Sequence, residues 1–183
     1  GLMLSSIGLS PLWALFMSIV IYAGSGQYLG VSLLQLGLTR AGQTPGALDG
    51  IFGAQTAAAV RAFQAASALT PDGIAGARTH RALLPWYTGY ILHTARSGDT
   101  LESIAAMHSA SPAVIALANP GVQTPQPGTQ LVVPLPFYVV PTDIRYSAAL
   151  VGYCVRGLVA RYPFIATGEI GRSVMGRPLW SLK

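Results

Sequence analysis

The sequence predicts a multi-domain, mainly α-helical chain in which two small modules precede an incomplete α/β unit. Three observations support this prediction. Residues 1–30 are apolar, and no Asp, Glu, Lys or Arg occurs before Arg40. Residues 31–86 repeat an Asp-Gly turn between short amphipathic helices, which favours a three-helix module. Residues 90–135 have the pattern strand, helix, helix, strand, and residues 143–183 that of a helix followed by a hairpin.

The composition narrows the classes of partner. The 183 residues have a formal net charge of +5, without any cluster of Lys and Arg interleaved with aromatic residues. This argues against a nucleic-acid partner, whereas a diffuse positive charge suits an anionic cell envelope. The single cysteine, Cys154, excludes an internal disulfide, and its apolar helical surroundings predict that it is buried. Because the sequence begins at Gly1 rather than Met, we expect a piece of a longer protein.

The N-terminal apolar segment admits more than one interpretation. A helix over residues 2–23 would be about 33 Å long, enough to cross a bilayer. Pro11 interrupts it, however, and the uninterrupted part, 12–23, is short for a span. A secretory signal would need a basic n-region, which is missing. We predict an apolar N-terminal helix in which residues 1–23 are candidates for membrane contact.

Part of this segment resembles a transporter family. The similar residues are Gly8-Leu9-Ser10-Pro11-Leu12-Trp13-Ala14-Leu15 and Tyr22-Ala23-Gly24-Ser25-Gly26-Gln27. They resemble the AzlC-type membrane permeases that export branched-chain amino acids, with a departure at Gly26. A permease fragment fused to the following modules, or a misassembled reading frame, is one interpretation of this similarity.

A duplicated turn marks the first module. The two copies are Asp49-Gly50-Ile51-Phe52-Gly53 and Asp72-Gly73-Ile74-Ala75-Gly76. Each Asp-Gly pair predicts a turn in which glycine takes a positive φ. We expect the threonines that follow, Thr56 and Thr79, to enter or cap the next helix. Between the copies, the apolar stripe of a helix is formed by Thr56, Ala59, Val60, Phe63 and Ala66.

The whole first module resembles the three-helix peptidoglycan-binding domain of bacterial wall hydrolases. The matching positions are Leu34-Gln35, Leu38, Ala41-Gly42, Asp49–Gly53, Thr56, Ala59-Val60, Phe63-Gln64, Leu69, Asp72-Gly73, Gly76, Thr79 and Leu83. The resemblance implies that muropeptide and glycan bind in a shallow groove near the turns. The candidate contact residues are Asp49, Gly50, Phe52, Asp72 and Gly73. The alternative is that Asp49, Phe52, Phe63 and Asp72 only hold the turns and the core.

The second module is predicted from its strand, helix and turn signals. Residues 90–94 alternate as in a strand, and Asp99 with Glu102 predicts a capping box at the first helix. Ser111-Pro112 predicts the start of a second helix, and Asn119-Pro120-Gly121 its end. Leu131-Val132-Val133-Pro134 predicts the closing strand.

This module resembles a LysM domain, a βααβ fold that binds glycans containing N-acetylglucosamine. The matching residues are Ser97-Gly98-Asp99-Thr100-Leu101, Ile104-Ala105, Asn119-Pro120, Gly128 and Leu131-Val132-Val133-Pro134. Residues 91–96 depart from the usual pattern of the family. The resemblance implies that the glycan contacts two loops, formed by Gly98, Asp99, Thr100, Leu101, Asn119, Pro120, Gly121 and Val122. For Asp99, helix capping alone is an equal alternative.

The C-terminal residues resemble the opening of zinc carboxypeptidase-fold enzymes, through Arg161-Tyr162-Pro163-Phe164 and Ile170–Leu179. With the two modules ahead, the chain resembles a γ-D-glutamyl-meso-diaminopimelate endopeptidase. Such enzymes hold zinc with two His and one Glu, whereas this chain has only His80, His93 and His108 and no His-x-x-Glu pair. We therefore expect no catalytic residue, metal or cofactor here, because zinc would belong to the absent part of the peptidase domain.

The sequence thus predicts a monomeric protein of the cell envelope, wall-associated or extracytoplasmic, that binds peptidoglycan and targets a wall hydrolase. Two alternatives stay open: a truncated metallopeptidase and a permease fragment fused to wall-binding modules. We further expect residues 143–183 to be mobile, because the helix and hairpin would have no sheet against which to bury their apolar faces.

Overall fold

The computed structural model describes residues 29–142 and 144–183, which contain seven helices and two antiparallel two-stranded sheets. The expected apolar N-terminal helix and the permease-like segment lie outside these residues. In chain order the elements are α1 (29–40), α2 (Ala54–Ala66), α3 (Ala77–Ala82), α4 (Leu84–Thr88), β1 (Tyr90–Thr94), α5 (Leu101–Met107), α6 (Pro112–Ala118), β2 (Gln130–Pro134), α7 (Ala148–Arg161), β3 (Thr167–Arg172) and β4 (Pro178–Leu182).

The first module packs α1 and α2 around one apolar core. Leu34 and Leu38 of α1 are buried against Val60 and Phe63 of α2, as the helical periodicity predicts. Leu83 and Tyr87 are buried in the same core. Helix α3 is a short helix, and α4 follows it directly and leads into the second module.

The two threonines after the duplicated turns do not cap their helices. Gly53 and Gly76 are the N-cap residues, and neither has a side chain to accept a hydrogen bond. Thr56 and Thr79 are buried. The Thr79 hydroxyl donates to the Ile74 carbonyl oxygen at 3.2 Å, and the Thr56 hydroxyl lies 3.0 Å from the Pro45 carbonyl oxygen and 3.4 Å from that of Ile51. Both threonines thus enter the first turn of the next helix, as one of the two alternatives predicts, but they do not cap it, because their hydroxyls bond to carbonyl oxygens of the preceding loops.

The second module has the βααβ order that the sequence predicts. Strands β1 and β2 pair antiparallel, so that Tyr90 lies opposite Pro134 and Thr94 opposite Gln130. Helices α5 and α6 cover the sheet, with Ile104 and Ile115 completely buried in the core.

The capping box of α5 lies one residue later than predicted. Thr100, and not Asp99, is the N-cap: its hydroxyl accepts from the Ser103 backbone N–H at 3.1 Å, while the Ser103 hydroxyl accepts from the Thr100 N–H at 2.9 Å. Serine replaces the expected Glu102 as the reciprocal partner, and this frees the Asp99 carboxylate for other contacts.

Helix α7 joins the two modules. It contacts α4 on one side and α6, β1 and β2 on the other. Leu150 and Cys154 of α7 are buried in the core of the first module, and the Cys154 thiol donates to the Val139 carbonyl oxygen at 3.4 Å. The expectation that this helix lacks a partner was therefore wrong, since the first module and the linker supply one.

The C-terminal hairpin forms as predicted and packs on little else. Strands β3 and β4 pair antiparallel with an irregularity between Glu169 and Gly171. Ile170 is 72% exposed and Trp180 42% exposed. Unlike the buried residues of α7, these two side chains are exposed within the part of the chain that the structure describes.

None of the helices within residues 29–142 and 144–183 is both long and apolar enough to cross a membrane. Helices α5 and α6 meet that criterion only when they are taken together across a 110° bend.

Two glycines of α7 provide a test of this packing. A Cβ at Gly157 would lie 2.0 Å from the Thr88 carbonyl oxygen, whereas a Cβ at Gly152 would meet nothing within 4 Å. We expect Gly157→Ala to lower the free energy of unfolding by about 1–3 kcal/mol, because α7 must move away from the joint. The matched control Gly152→Ala should raise it by roughly 0.5–1 kcal/mol. Urea unfolding measures both, and equal effects at the two sites would contradict close packing of α7.

Candidate functional site

A buried glutamine organises the first Asp-Gly turn. The Gln35 side-chain amide of α1 donates to Asp49 Oδ1 at 3.0 Å and to the Ile51 carbonyl oxygen at 3.1 Å. Its Oε1 accepts from the Gly50 N–H at 3.0 Å, and Asp49 Oδ1 also accepts from the Ile51 N–H at 2.9 Å. One side chain thereby satisfies several backbone groups of the turn and fixes its conformation.

The second turn repeats this network bond for bond. Gln64 of α2 donates to Asp72 Oδ1 at 2.8 Å and to the Ile74 carbonyl oxygen at 3.0 Å. Its Oε1 accepts from the Gly73 N–H at 2.9 Å, and the Ile74 N–H donates to Asp72 at 2.8 Å. The sequence repeat therefore includes the glutamines, whose role the sequence analysis missed. The available signal was a glutamine directly after a buried apolar residue in each copy, as in Leu34-Gln35 and Phe63-Gln64.

The predicted contact residues of the first module are thus engaged in holding the turns. Hydrogen bonds lower the pKa of both carboxyls. At Asp49 the largest contribution comes from Gln35. At Asp72 it comes from the Ile74 N–H, followed by Gln64. Gly50 and Gly73 have φ values of 73° and 78°, which glycine adopts without strain. Phe52 differs from these residues, because its ring is 44% exposed and available for contact.

The first module also has an open groove. It has a volume of about 390 Å³ and runs between the loop after α1 and the first half of α2. Its lining residues are Gln43, Thr44, Gly46, Gln55, Ala58, Ala59 and Ala62. Amides and a hydroxyl thus surround an alanine floor, without any charged group. None of the five predicted residues lines this groove, and of its lining the sequence motifs include only Ala59.

In the second module the two predicted glycan loops lie at the same end of the sheet. Because Thr94 lies opposite Gln130, the loop that follows β1 adjoins the loop that precedes β2. Backbone bonds join them, from the Ala95 N–H to Thr129 at 2.8 Å and from the Gly128 N–H to Ala95 at 2.8 Å. The bonded residues Ala95, Gly128 and Thr129 lie in the same two connections as the predicted residues 98–101 and 119–122, and both connections join the sheet at the same end.

Within these loops the side chains divide into those that hold the fold and those that are free. Asn119 bonds to both the Val132 N–H and the Val132 carbonyl oxygen, at 2.9 and 2.7 Å, and so attaches α6 to β2. Thr100 caps α5, and Leu101 is buried in the core. The exposed surface of the loops comes from Gly98, Thr100, Pro120 and Gly121, with Asp99, Asn119 and Val122 half-buried.

Asp99 connects the first loop to a histidine pair. Its Oδ2 accepts a hydrogen bond from the Arg96 N–H at 2.8 Å and lies 3.0 Å from His93 Nε2. Both contacts lower the pKa of Asp99, and the Arg96 N–H has the larger effect. His93 Nδ1 lies 3.1 Å from His108 Nε2. Histidines that are distant in the sequence thus meet beside the loop. Within the described residues, no group of three or more His, Cys, Asp or Glu side chains is placed to hold a metal ion.

The buried glutamine of the second turn allows a direct test. We expect Gln64→Ala to lower the free energy of unfolding by roughly 2–4 kcal/mol, because the Gly73 N–H and the Ile74 carbonyl lose their buried partner. Gln55→Ala, on the exposed face of the same helix, should change it by less than about 0.5 kcal/mol. Chemical denaturation compares the two variants. Similar small effects at both positions would show that the network does not hold the turn.

The histidines predict that stability falls in acid. Burial lowers the pKa of His80 and of His108 below the ordinary 6.5, and for His108 the neighbouring His93 adds to the effect. The unfolded chain therefore takes up protons first, so stability should decline as the pH falls below 6.5 and level off below the lowered pKa values.

We expect His108→Gln to flatten this dependence below pH 6.5, because the substituted side chain takes up no proton in either state. Denaturant unfolding at several pH values, with the wild-type chain as the reference, measures the slope. A slope that is unchanged by the substitution would contradict the assignment to His108.

Comparison with protein families agrees with both modules. Residues 27–83 match the family described as a putative peptidoglycan binding domain, and residues 93–134 match the LysM domain. No curated protein and no solved structure matches the chain. The chain therefore carries a peptidoglycan-binding domain and a LysM domain in tandem, and it is a peptidoglycan-binding protein associated with the cell wall.

Proposed function

We propose that the chain holds peptidoglycan through two separate surfaces whose relative position is set by α7. The observation that carries this proposal is the shared joint: Leu150 and Cys154 of α7 are buried against the first module, and the same helix contacts α6 and both strands of the second. Two weak sites in a fixed arrangement bind a repetitive polymer more tightly than either site alone, because the second contact becomes intramolecular.

The loops of the second module are the proposed glycan site. An N-acetylglucosamine unit presents an acetamide, which needs a donor, an acceptor and a small apolar surface. Gly98 and Gly121 have φ values of 88° and 85° and no side chain, so their backbone groups stay accessible to a sugar. Pro120 and Val122 provide the apolar surface beside them. Asn119, Thr100 and Asp99 position these loops through their bonds to the backbone.

The groove of the first module is the proposed site for the amide groups of muropeptide. The Gln55 carboxamide has no hydrogen-bond partner among the described residues, so that both its donor and its acceptor are available. Gly46 leaves room for it, since a Cβ there would lie 2.6 Å from Gln55 Oε1. The methyl groups of Ala58 and Ala62 suit the alanine side chains of a stem peptide.

Wall binding of this kind would serve to concentrate a hydrolase on its substrate. We propose targeting as the biological role, with residues 1–23 as a candidate membrane anchor and the monomer as the binding unit. The resemblance of residues 161–179 to the start of a zinc peptidase domain motivates the targeting hypothesis. A linked catalytic domain would gain effective concentration from the two modules.

Sedimentation with purified insoluble peptidoglycan tests the proposal. We expect the full chain to pellet with the polymer, and Gln55→Ala and Pro120→Glu each to lower the bound fraction severalfold. The first change removes the free amide, and the second places a bulky charge in the glycan loops. If folded wild-type protein stays in the supernatant, the proposal is wrong.

Matched controls separate binding from folding. Ala116→Glu places the same charge on an exposed position of α6 outside the loops and should sediment like the wild type. Circular dichroism should show native folding for every variant. Loss of sedimentation by Ala116→Glu to the same degree as Pro120→Glu would mean that charge alone, and not the loops, governs binding.

A further inference from the structure

A second open groove, the junction groove, lies where the second module meets the linker after β2 and the end of α7. It has a volume of about 370 Å³, and its wall consists of apolar groups of α6 and of the linker after β2, among them Val114, Leu135 and Phe137. Tyr138 lies at its rim and is 89% exposed. Since Pro134 pairs with Tyr90 while Gln130 pairs with Thr94, this groove lies at the opposite end of the sheet from the glycan loops.

One cation lines this apolar groove. The Arg161 guanidinium donates to the carbonyl oxygens of Phe137, Gly89 and Leu135 at 3.0, 3.1 and 2.7 Å. Its buried Nε–H has no acceptor among the described residues. The ion pairs within residues 29–142 and 144–183 are those of His93 with Asp99 and of Arg172 with Glu169, so no carboxylate there neutralises Arg161.

An uncompensated guanidinium in a poorly solvated site favours an anion. Burial lowers the pKa of Arg161, although the adjoining Tyr162 acts in the opposite direction, so the positive charge is held against a desolvation cost. Carbonyl oxygens satisfy part of the hydrogen-bonding capacity but do not cancel the charge. Nη2 gives both of its hydrogens to Gly89 and Leu135 and Nε is buried, so a carboxylate in the groove would accept one charge-assisted hydrogen bond, from Nη1.

We propose that the junction groove binds a carboxylate carried next to a small apolar side chain, as at the free end of a wall stem peptide. The apolar wall of Val114 and Leu135 receives the side chain, and the carboxylate takes its place at Arg161. This inference rests on the proposed wall-binding function and adds a third contact, for a peptide end, distinct from the glycan loops and from the groove of the first module.

Titration of the full chain with acetyl-D-alanyl-D-alanine, followed by methyl NMR, tests the inference. We expect the free acid to shift the methyl resonances of Val114 and Leu135 and to bind at least about tenfold more tightly than the C-terminal amide, because only the acid offers a charge to Arg161. Val114→Glu should abolish binding of the acid by placing a fixed carboxylate in the groove. Leu117→Glu, on the same helix but outside the groove lining, should leave binding unchanged.

Arg161→Gln removes the cation and should make the affinities for the acid and the amide equal. The same change removes hydrogen bonds to the carbonyl oxygens of Phe137, Gly89 and Leu135, and so it also disturbs the packing between the modules. Val114→Glu therefore decides the inference where Arg161→Gln does not fold. Equal affinities of acid and amide for the wild type, or retained binding in Val114→Glu, would overturn it. If the wild type still pellets with peptidoglycan in that case, the junction site alone is wrong, whereas failure to pellet overturns the wall-binding proposal.

Discussion

The buried glutamine beneath each Asp-Gly turn is the interaction on which the first module depends. A turn of this kind exposes backbone N–H and C=O groups toward the core, and each would carry a desolvation cost if it had no partner. Gln64, at 3% exposure, can satisfy both kinds of group because a carboxamide both donates and accepts. The aspartate completes the arrangement by accepting from the turn and from the amide. The same solution occurs at Gln35, so the module is a structural duplication in its hydrogen bonds as well as in its sequence.

Two arginines likewise satisfy backbone carbonyl oxygens at the joint between the modules. Arg40 of α1 donates to the carbonyl oxygens of Trp86, Tyr138 and Val139, and its guanidinium lies 4.5 Å from the centre of the Phe137 ring. Arg161 of α7 bonds to the neighbouring carbonyls of Gly89, Leu135 and Phe137. The two arginines thus connect α1 and α7 to the linker through its carbonyl oxygens, although these elements are far apart in the chain. This gives a physical reason for a fixed arrangement of two modules that resemble independent domains in sequence.

The sequence predicts the local elements well and the long-range polar contacts poorly. Helical and strand periodicity placed the βααβ module and the C-terminal hairpin, because each depends on which face of an element is apolar. The capping box was displaced by one residue, since Asp99 and Thr100 are both good caps, and the Asp99 carboxylate bonds to the Arg96 N–H and contacts His93 instead. The packing of α7 was missed because its partners lie in the first module and in the linker. Sequence periodicity shows that a face is buried, but it does not show which surface covers it.

The candidate binding residues were the least predictable feature for a related reason. Recurrent motif residues such as Asp72 and Asn119 are those whose side chains form several bonds to the backbone, and those bonds occupy the groups that a ligand would need. A residue free to bind, such as Gln55, has few constraints within the fold and therefore leaves no pattern in the sequence. The strongest motif in a small binding module accordingly identifies the scaffold, and the contact surface is to be sought among the exposed neighbours that the scaffold positions. In this chain those neighbours are glycine backbone, amide and alanine side chains, which suit the amide groups and small side chains of a wall polymer.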